Sequence, residues 1–79
     1  MTGVLNNMKD VFINKDHVEL FKILKFEGIA SSGAEAKEMI AVGTVLVNGV
    51  IEKKKRKKMV SGDTIELKGE IFRLKLSAN

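Results

Sequence analysis

Apolar side chains at Leu20, Phe21, Ile23 and Leu24 share one face of a helix at 100° per residue, while Lys22 and Lys25, three apart, project from the other. The spacing predicts a helix over about 17–27. Asp16 stands where its carboxylate could accept the Glu19 amide, and Glu19 stands where a capping box answers back. Gly28 supplies a left-handed stop. Ser32 and Glu35 repeat the capping device for a second helix over about 33–42, which Gly43 ends and whose stripe is Ala36, Met39 and Ile40. Small Ala34, Ala36 and Ala41 let a neighbouring helix come close, so the two helices, joined by Ile29 to Ser31, are expected to pack as a hairpin.

Beyond Gly43 the period changes from 3.6 to 2. Thr44 to Val47 alternate, Asn48-Gly49 is the strongest two-residue signal for a type I′ turn, and Val50 to Glu52 begin the return strand. Gly62-Asp63 marks a further turn before Thr64 to Lys68, where Ile65 and Leu67 face one way. Gly69-Glu70 leads into Ile71 to Leu76, where Phe72, Leu74 and Leu76 alternate with Arg73 and Lys75. Asp10 to Ile13 alternates too and could join a sheet edge. Phe12, Phe21 and Phe72 fall where a core would use them, and only Phe26 is displaced from its helix's apolar stripe. The order β, α, α, then a β-rich stretch over 44–76 predicts an α+β fold, a two-helix hairpin packed against a small antiparallel sheet.

Length and charge sharpen this picture. The 79 residues leave room for one domain, expected to be residues 1–79, around one continuous core. Fourteen Lys and Arg against ten Asp and Glu give +4, yet six of the fourteen are consecutive, Lys53 to Lys58, and without them eight face ten, a balance of −2. The positive charge is concentrated in one place. The absence of Cys excludes disulfides, thiolate zinc sites and cysteine nucleophiles and is compatible with a cytoplasmic location. No leader or membrane-spanning run is visible, which leads us to expect a soluble chain, and a monomer is expected as well.

Catalysis finds little support. His17 is the one histidine, so neither a metal cluster nor a base for Ser31, Ser32, Ser61 or Ser77 assembles from the pattern. No nucleotide-cradling glycine motif occurs, and Glu35 and Glu38 read as ordinary solvated charge beside Lys37. A non-catalytic chain with no cofactor, metal or small-molecule substrate is expected.

The run Lys53-Lys54-Lys55-Arg56-Lys57-Lys58 differs in kind from a solvated loop, because it lies inside a small domain where adjacent like charges oppose folding. A polyanion is the simplest compensation. Five Lys and one Arg offer point charges to phosphates more than planar forks to base edges. With no Trp or Tyr and three of the four Phe assigned to the core, aromatic stacking platforms are set aside, and no G-x-x-G loop is present. Helix two adds exposed amides near Gly33 and Ala34, with Lys37 one turn on, which suits a phosphate. The run alone also fits an import address or a patch for anionic lipid.

Four ordered motifs then carry a resemblance: S-G-x-x-A-K at Ser32 to Lys37, G-x-V-x-V-N-G at Gly43 to Gly49, the basic segment, and G-D at Gly62-Asp63. Together they resemble the S4 RNA-binding domain, and more narrowly the small stand-alone S4-like proteins of bacteria. The resemblance implies that the helix pair and following hairpin form an RNA-facing αL motif. It implies that Ser32 and Lys37 approach the RNA backbone and that Lys53, Lys54, Lys55, Arg56, Lys57 and Lys58 match the family's basic segment. Gly33 stands where the larger family often has Arg, and Lys15-Asp16-His17 stands where an Arg-x-Asp lead-in is common. The implied partner is structured RNA, ribosomal RNA or a ribosome-associated particle, with Lys22 and Lys25 as secondary contacts. An RNA-binding accessory subunit of a modifying enzyme is the other role the resemblance allows.

Overall fold

Alternation turns Ile65 and Leu67 inward from one strand and Phe72 and Leu74 inward from the next, and those two strands form the centre of the sheet. The computed structural model describes residues 8–77. Its elements in chain order are β1 (Met8–Ile13), β2 (Val18–Glu19), α1 (Leu20–Phe26), α2 (Gly33–Ala41), β3 (Leu46–Val47), β4 (Val50–Ile51), β5 (Lys58–Met59), β6 (Thr64–Leu67) and β7 (Glu70–Leu76). A five-stranded sheet runs β1-β7-β6-β3-β4, and β2 and β5 pair separately. The two helices pack as a hairpin against the sheet, so the fold is α+β as the sequence predicts.

The sheet is mixed. β1 joins the edge parallel to β7, with Val11 opposite Leu74 and Ile13 opposite Leu76, while the other pairings are antiparallel. Nearly the whole described chain separates β1 from β7, which leaves ample length for a parallel crossover. At the β3–β4 turn Asn48 and Gly49 both adopt positive φ, 53° and 84°, the pair of angles a type I′ hairpin requires.

One continuous core joins Leu20, Ile23 and Leu24 of α1, Ala36 and Ile40 of α2, and the inward residues of the sheet. Ala36 is fully buried, so its small size sets how closely the helices approach. Met59 is fully buried too and anchors the chain directly after the basic run. Phe12 departs from the expected core: Val11 and Ile13 take the inward positions of β1, so parity turns Phe12 outward at 66% exposure. Leu76 is likewise exposed at the end of β7.

The first helix starts later than its periodicity suggests, at Leu20 and not at His17. Val18 and Glu19 are extended because they pair with Met59 and Lys58. Asp16 therefore caps nothing, and no side chain caps α1. The amides of Leu20 and Phe21 donate instead to the carbonyls of Lys57 at 2.9 Å and Lys55 at 3.1 Å. Loop carbonyls thus satisfy helix donors that would otherwise lack partners.

Candidate nucleic-acid interface

A run of six adjacent cations stays in place here because its backbone is held at every turn. The Glu52 amide bonds the Val45 carbonyl at 3.0 Å, and the Glu52 carboxylate accepts the Lys54 amide at 3.1 Å. The Lys57 amide closes a turn onto the Lys54 carbonyl at 3.2 Å. The Lys55 and Lys57 carbonyls point to α1, and β5 leads into buried Met59. Lys53, Lys54, Lys55, Arg56 and Lys58 are exposed and Lys57 half-buried. Among the described residues none of the five lysines of the run has an ion-pair partner.

Two of the resemblance motifs fasten the frame around this loop. Asn48 Nδ2 donates to Asp63 Oδ1 at 3.1 Å, and Asn48 Oδ1 accepts the Thr64 amide at 3.0 Å. Asp63 Oδ2 accepts the Val60 amide at 2.9 Å. The clasp ties the β3–β4 turn to the turn that follows the basic run, fixing both ends of the loop relative to each other.

At the head of α2, Ser32 is the N-cap and its Oγ accepts the Glu35 amide at 3.1 Å. The Glu35 carboxylate accepts the Ser31 amide in return. That backbone hydrogen bond is the main reason its carboxyl titrates below its ordinary value, with the Ser31 side chain and the Lys68 charge acting in the same direction. Gly33 and Ala34 begin the helix, where first-turn amides have no intrahelical acceptor.

Phe21 brings the two regions together. Its ring lies beside Gly33, where an added Cβ would meet ring carbons at 3.6 and 3.8 Å. The Lys37 ammonium lies 4.7 Å from the ring centre, the Arg56 guanidinium carbon 5.0 Å and the Lys22 ammonium 6.0 Å. Such spacing lets the negative ring face draw in cations that would otherwise repel one another. Glu19 completes the arrangement: its Oε1 accepts Arg56 Nη1 at 3.1 Å and lies 3.5 Å from Lys22 Nζ. Glu19 is therefore no capping-box partner of Asp16, and holds the arginine over the ring instead.

Of the candidate residues, Gly33, Lys37, Arg56 and Lys22 converge on Phe21, with Ser32 at the adjoining helix tip. Lys53 lies near the opposite end of α2, its stem against Gly43, whereas Arg56 lies by the Phe21 ring that adjoins Gly33, so the run reaches towards both ends of the helix. Lys54, Lys55, Lys57 and Lys58 carry exposed or half-exposed charge within the strip. Lys25 projects from the outer face of α1, away from the ring contacts. Sequence reasoning missed Phe21 and Glu19 as organisers, because the apolar stripe assigned one to the core and the capping pattern claimed the other. Among the described residues no group of three or more His, Asp or Glu could hold a metal ion, and no helix is long and apolar enough to cross a membrane.

A family model described as the S4 domain matches residues 11–75. YbcJ of Escherichia coli (strain K12), a candidate RNA-binding protein by its name, is 51% identical over 53 residues, spanning 67% of this chain and 76% of YbcJ. YbcJ of Shigella flexneri matches over the same extent. The solution structure of YbcJ from E. coli, described as revealing an αL motif involved in RNA binding, aligns with a TM-score of 0.68 at 41% identity, covering 95% of this chain and 96% of that one.

Proposed function

The chain belongs to the S4 domain family, and from that membership we propose that it is an RNA-binding protein gripping structured RNA through phosphates, without catalytic chemistry of its own. One observation carries the reading: a cationic strip whose backbone is fastened to the fold, with four of its five lysines exposed and none of the five ion-paired among the described residues. Phosphates can replace counterions along such a strip without the protein first ordering a loop, so the entropic cost of binding is already met in folding. Lys37, Arg56 and the amides near Gly33 offer a second cluster of donors at the α2 tip. Arg56, oriented by Glu19 and Phe21, is the one position in the run able to present a fork of donors.

Ribosomal RNA or a ribosome-associated particle is the target class to which the family resemblance points. A folded surface suits the run better than an import address or a lipid patch, because its carbonyls are engaged with α1 and it is not an extended, detachable segment.

The test uses the lysines that hold nothing inside the protein. Replacing Lys54, Lys55 and Lys58 by Gln leaves every hydrogen bond and ion pair described above in place, so the thermal midpoint is expected to hold. With about four phosphates engaged, affinity for a folded RNA falls with a log–log salt slope of roughly −3, and the triple variant loses about two units of that slope. Unchanged affinity and slope in the variant would refute the phosphate reading.

A further inference from the structure

Every apolar residue of α1 is buried except its last. Leu20, Phe21, Ile23 and Leu24 face the core, whereas Phe26 is 70% exposed. The ring borders an open groove between α1 and the chain leading from β1 to β2. Lys22 stands four residues before Phe26, one turn along the same helix face, and Lys25 adjoins it. The groove's ionic lining balances, with Lys15, Lys22 and Lys25 matched in number by Asp16, Glu19 and Glu27. A string of phosphates gains little from a neutral groove, whereas a flat uncharged ring gains stacking on the exposed phenyl. Phe21, Glu19 and Lys22 line this groove and also form the cation cluster, so the groove continues directly from the phosphate-binding strip.

We propose that the groove is a nucleobase subsite, in which an unpaired base of the bound RNA stacks on Phe26 while its flanking phosphate lies on Lys22 and Lys25. The assignment rests on the RNA-binding reading above and refines it. A base has a π-face whatever its identity, so an exposed phenyl ring beside ammonium groups gains stacking without base-edge contacts. Lys22 is available because its contact with Glu19 is a 3.5 Å pair between side chains 50% and 27% exposed, which a phosphate can replace at little cost. The interface then prefers RNA that offers an unpaired base within reach of the strip, a bulge or internal loop, over an uninterrupted duplex.

Two duplexes of equal length test this, one fully paired and one carrying a bulge that contains 2-aminopurine, whose emission reports stacking. The chain has no Trp or Tyr to interfere. The wild type is expected to bind the bulged duplex about tenfold more tightly and to change the 2-aminopurine emission. Phe26→Leu, at an exposed position, should keep its thermal midpoint and its affinity for the paired duplex while losing the preference. Phe26→Trp should retain the preference, with its indole emission quenched by the bulged RNA. Equal affinity of the wild type for the two duplexes, or an undiminished preference in Phe26→Leu, overturns the subsite while leaving phosphate binding intact. Failure of the wild type to bind either duplex overturns the RNA reading itself, and this subsite with it.

Discussion

Replacing Arg56 by Lys preserves the charge of the basic strip and removes the geometry that sets this residue apart. Its guanidinium lies 3.1 Å from the Glu19 carboxylate, between side chains 60% and 27% exposed, and 5.0 Å from the Phe21 ring centre. A partly solvated ion pair of this kind contributes up to about 1 kcal/mol, and a cation over an aromatic ring at an exposed site about 0.5–1 kcal/mol. A lysine recovers only part of either. The expected loss is about 1 kcal/mol, a fall in thermal midpoint of roughly 4–8 °C for a domain of this size. Calorimetry on Arg56→Lys and Arg56→Ala reads that loss in both variants. Salt titration of RNA binding separates them: Arg56→Lys keeps the wild-type slope, and Arg56→Ala reduces its magnitude by about 0.7–0.9 if the residue neutralises one phosphate. An Arg56→Lys protein that melts with the wild type would refute the structural role of the contacts. An unchanged slope in Arg56→Ala would refute the phosphate role.

Three further perturbations address other parts of the site. Gly33→Ala places a methyl in ordinary contact with Phe21, 3.6 Å from its nearest ring carbon, and alanine suits a helix better than glycine; the midpoint should hold or rise while RNA affinity drops several-fold, and full affinity would deny the α2 tip a role. Asp63→Ala removes acceptors from the exposed Val60 amide and Asn48 Nδ2, a loss of about 0.5–1.5 kcal/mol in urea denaturation, and a cost near zero would show that the clasp is dispensable. The Glu35 carboxyl titrates lower in the fold than in the unfolded chain, so its stabilisation is full above the unfolded value and disappears as pH falls through the folded one. The urea midpoint should therefore decline through the acid range in the wild type and decline less steeply in Glu35→Gln, and coincident pH profiles would contradict the capping role.

What the sequence reveals follows the range of each interaction. Ser32 and Glu35 satisfy one another within a few residues, and the positive φ of Asn48 and Gly49 is demanded by a two-residue turn, so the α2 cap and the β3–β4 hairpin are legible from spacing alone. The head of α1 is not, although Asp16 and Glu19 have the spacing of a capping box. A partner 37 positions away, Arg56, takes the Glu19 carboxylate, and the pairing of Val18 and Glu19 with Met59 and Lys58 keeps that stretch extended. Phe12 was readable from parity, since alternation that places Val11 and Ile13 inward must turn Phe12 out. The basic run and Lys37 were legible as charges, and the family resemblance set both on one RNA-facing surface, but the ring on which they meet was not legible. Their meeting depends on Phe21 lying at the edge of the core, 9% exposed, where its ring both packs inward and faces cations.

Backbone amide shifts followed during titration of the protein with a folded RNA at low ionic strength test the central claim most directly. Perturbations should concentrate at residues 32–37 and 53–58 and collapse together as salt is raised. Shifts centred instead on the outer sheet face around Asp10, Arg73 and Lys75, or no shifts at all, would contradict it.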